Sequence, residues 1–127
     1  MRKLLRLIDW KRNNKIALRN FSENVDFHDI VKTLLVRMLR RKHKDSCKVP
    51  IYTEFNPEEI NENYPDIWMK DEHGDIYVWE IQNKISKEWQ KSISKHYENI
   101  SELTIVSLND LSKNIDELKK QLEKYLI

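Results

Sequence analysis

The 127 residues contain one glycine, Gly74, and that scarcity limits where the chain can reverse sharply. Gly74 lies within Asp71-Glu72-His73-Gly74-Asp75, between two apolar-rich runs at 64–69 and 76–81. Glycine takes positive φ without a steric penalty, as tight hairpin turns require, so two antiparallel strands are predicted here. With the turn centred near His73, Asp66 and Glu80 are each seven residues from it and face one another. Residues opposed in this way hold their Cβ atoms about 4.5–5.5 Å apart on one face. A slip of one residue would put them on opposite faces.

Two carboxylates at that spacing repel, and each raises the pKa of the other, unless a cation lies between them. The pair therefore reads as a two-carboxylate metal site, or alternatively as a hairpin whose acids are simply solvated. Along the second run Ile76 and Val78 point one way and Tyr77, Trp79 and Ile81 the other, the pattern of a central strand covered on both faces. Glu80, Gln82 and Lys84 share a face for as long as the strand continues. A glutamate ending such a strand is partly desolvated yet within reach of a ligand.

Elsewhere, periodicity organises the chain. Residues 1–20 read as a short helix and a connector through Asn13-Asn14. Phe27, Ile30, Val31, Leu34, Leu35, Met38 and Leu39 recur at spacings of three and four, which predicts an amphipathic helix. Ser22 or Asn24 is positioned to cap it, with Glu23, Asp26 and Asp29 near the positive end of its dipole. Residues 49–55 read as a strand entered through Pro50, and Asn56-Pro57-Glu58-Glu59 as a turn. Ser86 caps a second helix carrying Trp89, Ile93, Tyr97 and Ile100 on one side. Residues 103–108 form a short apolar run of strand length. Asn114 and Glu117 make a capping box for a last helix over 114–127. The expectation is one α/β domain over 1–127, with a mixed four-stranded sheet between helices in the order α-β-β-β-α-β-α.

Charge is unevenly divided. Residues 1–48 hold 14 Lys and Arg against five Asp and Glu, whereas residues 49–127 hold nine against 16. A basic half beside an acidic half suits a protein that grips phosphates and holds metal ions, though it also suits basic helices facing water. Arg37, Arg40, Arg41, Lys42 and Lys44 gather at the far end of the first long helix, where they complement its dipole and can meet a nucleic-acid backbone. Cys47 is the lone cysteine, which excludes a disulfide framework, a zinc set and an iron–sulfur set. His28, His43, His73 and His96 show no metal-ligand spacing and read as surface or hydrogen-bonded residues. No Gly-rich phosphate loop is available, so no nucleotide cofactor is expected. Arg6 and Asp9 interrupt the apolar stretch at the basic N-terminus, so neither a signal peptide nor a membrane span is expected there. The default expectation is a soluble cytoplasmic protein, inside a host cell if the chain is viral.

Taken together, these features resemble the PD-(D/E)xK nuclease superfamily, the restriction-endonuclease-like fold, over residues 24–108. Pro65-Asp66 stands at the first acid of its motif and Glu80-Ile81-Gln82 at its D/E-x-K. The resemblance implies Mg²⁺, with Mn²⁺ able to substitute, held by Asp66, Glu80 and the backbone carbonyl of Ile81. Gln82 replaces the usual lysine; it can hydrogen-bond the attacking water but brings no charge. Lys84, or Lys87 or Lys91 from the second helix, would then supply that charge. FHDIVKTLL resembles a helix pattern whose acid falls here on His28, with Asp29 adjacent as the third metal residue. The implied activity is hydrolysis of phosphodiester bonds in duplex or branched DNA by an endonuclease of resolvase-like or small viral type, with a homodimer by analogy. Arg37, Arg40, Arg41, Lys42, Lys91 and Lys95 are the expected DNA contacts. The alternative is a catalytically silent relative that binds nucleic acid or a protein.

Overall fold

The computed structural model describes residues 5–8, 14–18, 26–45, 47–54, 65–98 and 100–127. These form β1 (Leu5–Ile8), β2 (Asn14–Leu18), α1 (Phe27–Lys42), β3 (Ile51–Thr53), β4 (Ile67–Lys70), β5 (Ile76–Gln82), α2 (Lys87–His96), β6 (Glu102–Ser107) and α3 (Ile115–Leu122). The six strands make one mixed sheet in sequence order. β2 pairs parallel with β3, and β5 parallel with β6, while the remaining neighbours are antiparallel. From α1 onward the order α-β-β-β-α-β-α is the one expected from the sequence.

The N-terminal expectation of a helix and connector is overturned. Residues 5–8 and 14–18 are strands that extend the sheet from four to six, with β2 docked on β3. The two segments are four and five residues long, too short for helical or strand periodicity to decide between the two readings. The expected turn at Asn56–Glu59 and the capping candidates Ser22 and Asn24 lie outside the described residues. The cap of α1 is Asp26, whose carboxylate accepts the Asp29 N–H at 2.9 Å. β3 is shorter than the predicted 49–55, and Pro50, which has no N–H for a ladder, precedes it.

Side-chain alternation on the strands decides what each helix covers. Ile51, Ile67, Met69, Trp79, Ile81 and Val106 join Val31, Leu35 and Leu39 of α1 and Leu118 and Leu122 of α3 in one core. Trp68 and Val78, on the opposite face, pack with Tyr97 at the end of α2 and with Ile93. Tyr52 stacks on Trp68 with ring centroids 5.6 Å apart. The buried stripe of α1 differs from the apolar stripe in its sequence: Ile30 is exposed, whereas Asp29 and Lys32 are buried. No helix among the described residues is long and apolar enough to cross a membrane.

The β4–β5 hairpin has the expected register. Ile67 pairs with Trp79, Trp68 with Val78, Met69 with Tyr77 and Lys70 with Ile76. The ladder ends at Ile67 and Trp79, which Asp66 directly precedes and Glu80 directly follows. Gly74 closes the turn at φ +85°, its N–H donating to the Asp71 carbonyl at 3.1 Å. The Asp71 N–H donates in turn to the Asp75 carbonyl at 2.9 Å. This is a three-residue loop ending in a left-handed residue, a common hairpin connection. The Asp71 carboxylate accepts from the N–H groups of His73 and Asp75 and from the Tyr77 hydroxyl. Burial acts to raise the Asp71 carboxyl, but the bonds from Asp75, Tyr77 and His73 together hold it below its ordinary 3.8.

A carboxyl depressed in the folded state stabilises the fold above its unfolded pKa and loses that effect as pH falls through the folded value. Asp71→Ala is therefore expected to lower stability near neutral pH by no more than about 1 kcal/mol, because the turn is solvent-screened. Urea denaturation at a series of pH values should show the gap to wild type closing below about pH 4.

Candidate functional site

Buried charge collects at the end of the sheet where β4 begins and β5 ends. Asp66, directly before β4, is fully buried, and Glu80 near the end of β5 is 6% exposed. The Asp66 carboxylate is fixed through Oδ2, which accepts the Ile81 N–H at 2.7 Å. Its Oδ1 lies 3.1 Å from His28 Nε2 on α1. Glu80 shares its face with Val78, toward α2, and its Oε1 accepts the Tyr97 hydroxyl at 2.6 Å. Burial, followed by the Glu80 charge and its hydrogen bond, pushes the Tyr97 hydroxyl far above its usual range. Tyr97 therefore remains a proton donor to Glu80 throughout the physiological range. The two acids flank the last pair of the ladder, and each carboxylate has an anchor of its own.

A second group of charges adjoins them on the side of α1. Lys32 is fully buried, with Nζ 3.6 Å from Asp29 Oδ1 and 3.5 Å from Glu54 Oε1. Asp29 and Glu54 are 3% and 4% exposed. Glu54 directly follows β3 and is held at φ +51°, a left-handed conformation unusual for a residue with a side chain. Such a conformation costs about 1–3 kcal/mol and persists only where its surroundings enforce it. His28 links the two groups, with Nδ1 3.7 Å from Asp29 Oδ1 and Nε2 beside Asp66. A polar chain thus runs across the sheet end from Glu54 through Lys32, Asp29 and His28 to Asp66. Asp29 Oδ1 and His28 Nε2 are buried and make no hydrogen bond among the described residues. Asp26, His28 and Asp29 also offer ligand atoms within 4.8 Å of one another, a grouping that could hold a metal ion.

The remaining expected residues are distributed as follows. Gln82 is half-buried at the last position of β5, and Ile81 meets Asp66 through its N–H. Lys84 is exposed two residues past the strand, so the face shared with Glu80 ends at Gln82. Arg37, Arg41 and Lys42 are exposed on the far part of α1. Arg41 lies twelve residues from Asp29, about 18 Å along the helix axis. Arg40 is drawn into the fold, its guanidinium donating to the carbonyls of His43 at 2.8 Å and Val49 at 2.7 Å. Lys91 and Lys95 are exposed on α2 and align with Lys87 at helical spacing.

Sequence reasoning did not single out Lys32, Glu54 or Tyr97, and it treated His28 as a departure from a pattern. Lys32 had a signal: it precedes Leu35 and Val36 by three and four residues, on the stripe that proves buried. Glu54 had none, since a left-handed residue after a three-residue strand leaves no mark in sequence. No protein-family model, curated protein or solved structure matches this chain.

A buried ion pair that loses one partner leaves a costly uncompensated charge. Lys32→Met is expected to destabilise the fold by about 3–5 kcal/mol. The double change Lys32→Met with Glu54→Gln should recover part of that loss in urea denaturation, giving a coupling energy of opposite sign to the single effects.

Proposed function

We propose that this protein is a metal-dependent nuclease of the PD-(D/E)xK kind, hydrolysing phosphodiester bonds in DNA. One observation carries the reading: Asp66 and Glu80 flank the last pair of the β4–β5 ladder, both almost wholly buried, at a sheet end overhung by the first turn of α1. Support for the finer fold comes from the helix, three strands, helix and strand that run from α1 to β6 in that superfamily's order. Solvent-screened acids on an ordinary hairpin would have no reason to be buried, since burying a carboxylate is costly without compensation.

The donor set suits a hard divalent cation. Carboxylate oxygens predominate, and the buried Asp29 Oδ1, without a hydrogen bond among the described residues, is the kind of atom a cation or its bound water would satisfy. Asp66 and Glu80 would hold Mg²⁺, or Mn²⁺ in its place, with Asp29 and the Ile81 carbonyl completing the set. When bound, the ion lowers the pKa of a water and neutralises charge developing on the scissile phosphate. The chain's own residues do the positioning. The Ile81 N–H fixes Asp66, and Tyr97 fixes Glu80, so neither acid needs to be ordered when substrate arrives. Gln82, next on the Glu80 face, would orient the attacking water by hydrogen bonding.

Lys84, exposed beyond the strand, and Lys87, Lys91 and Lys95 along α2 would contact phosphates leading to the site. Arg37, Arg41 and Lys42 would reach only a more distant stretch of duplex. Binding carried by such contacts weakens steeply with salt. Cutting both strands of a duplex or a branched junction would call for a homodimer, and the expected setting is intracellular.

Incubation with supercoiled, branched and single-stranded DNA tests the proposal. Cleavage is expected with Mg²⁺ or Mn²⁺ and is expected to fall by at least about 10²-fold in Asp66→Asn and in Glu80→Gln. Cleavage that survives both substitutions would refute the site. Salt-sensitive DNA binding without cleavage by the wild-type protein would instead favour a catalytically silent binding domain.

A further inference from the structure

The sheet ends in an unprotected edge at β6. The strand order places β6 last, with β5 on one side of it and no strand on the other among the described residues. An edge strand presents a row of backbone N–H and C=O groups that can pair with another chain, and edges are ordinarily blunted by lysine, proline, a bulge or a very short strand. β6 carries none of these. Its six residues, Glu102-Leu103-Thr104-Ile105-Val106-Ser107, hold one charge, at the first position, and pair with β5 in unbroken register. The other edge, β1, is four residues long and carries Arg6. Apolar cover beside β6 is also incomplete. On the α2 face Trp68, Val78 and Tyr97 are buried, but Ile76, Ile93, Ile100 and Leu103 around them are only partly so, and α2 itself contributes no buried residue. Leu103 and Ile105 share that face, and both stay half-buried where the sheet stops.

We infer that β6 pairs antiparallel with β6 of a second copy of this chain, centred on Ile105, joining the two six-stranded sheets into one. The strand fits itself. A two-fold axis normal to the sheet produces an antiparallel pair and continues each face with the same face. Centred on Ile105, the pairing sets Ile105 against its own copy, Leu103 against the second copy's Ser107, and Thr104 against the second copy's Val106. Glu102 falls outside the paired residues, so no like charges oppose one another. The half-buried apolar side chains on the α2 face then cover their counterparts across the axis, extending the contact beyond the strands toward the area a stable dimer needs. This inference stands on the sheet alone and does not rest on the nuclease reading, but it has a consequence for the proposed site. Glu80 lies opposite Ile105 on the neighbouring strand, so the two Glu80 positions come about 14 Å apart, three strand spacings, on one face. Both α2 helices lie on that same side, where a single duplex reaches both sites.

Sedimentation velocity of the full chain over a range of concentrations, with amide hydrogen exchange at both ends of that range, tests the pairing without reference to cleavage. A dimer is expected at the higher concentrations, with exchange over residues 103–107 slowed as it forms. In a Cys47→Ser background, which removes the exposed native thiol, Ile105→Cys should form an intermolecular disulfide under mild oxidation. Residues opposed in an antiparallel pair lie within the Cα separation that a disulfide spans. Ile105→Lys sets two like charges against each other at the axis and should weaken the dimer about tenfold or more. Should that variant fail to fold, exchange in the wild type and the disulfide decide the matter. A chain that stays monomeric at every concentration would overturn the inference. So would a dimer in which residues 103–107 exchange as they do in the monomer, or one in which Ile105→Cys forms no disulfide. A monomer that cleaves DNA with Mg²⁺ would lose this inference and keep the nuclease reading, whereas a dimer paired at β6 that cleaves nothing would lose only the nuclease reading.

Discussion

The antiparallel register between β4 and β5 is the constraint on which the rest of this structure depends. It is set at one end by a turn that needs Gly74 at positive φ and is tied together by Asp71, and along its length by alternation between two cores. Trp79 and Ile81 must meet α1, and Val78 must meet α2. A slip of one residue would exchange Trp79 and Ile81 with Val78 between two differently filled cores, so packing fixes the register. Asp66 and Glu80 lie at the far end of the same ladder and inherit their placement from it. The site is thus positioned by the energetics of the core, which rigidly packed side chains make precise to well within a side-chain length.

Around the two acids the fold holds more buried charge than a domain of this size needs for stability. Asp29, Lys32 and Glu54 join Asp66 and Glu80 beneath the first turn of α1, and each is ordered by a named contact rather than by solvent. Buried pairs of this kind usually contribute little net stability compared with apolar side chains of the same volume. Their concentration at one sheet end, with a backbone strained at Glu54, is the pattern expected where function has taken precedence over packing. The basic residues divide differently. Arg40 serves the fold, the far end of α1 is remote from the acids, and Lys87, Lys91 and Lys95 line one side of α2.

Much of this was legible in the sequence because it rests on local rules. Helical spacing marked α1 and α3, Ser86 and Asn114 marked helix starts, and the lone glycine with its flanking apolar runs gave the hairpin and its register. What escaped depended on contacts distant in sequence. The N-terminal strands are too short to outweigh a helical reading, and they pair with partners that sequence alone does not specify. The buried face of α1 is rotated toward Lys32 because Asp29 and Glu54 are there to receive it, and Glu54 comes from a strand more than twenty residues away. Tyr97 looked like part of an apolar stripe. Its ring does pack in the core, while its hydroxyl reaches Glu80 from the other side of a crossover.

Anomalous diffraction from a crystal of the protein soaked in Mn²⁺ addresses the central claim most directly. The account predicts a strong peak about 2.0–2.3 Å from a carboxylate oxygen of Asp66 and from one of Glu80. A soaked crystal with no peak where β4 begins and β5 ends would contradict it.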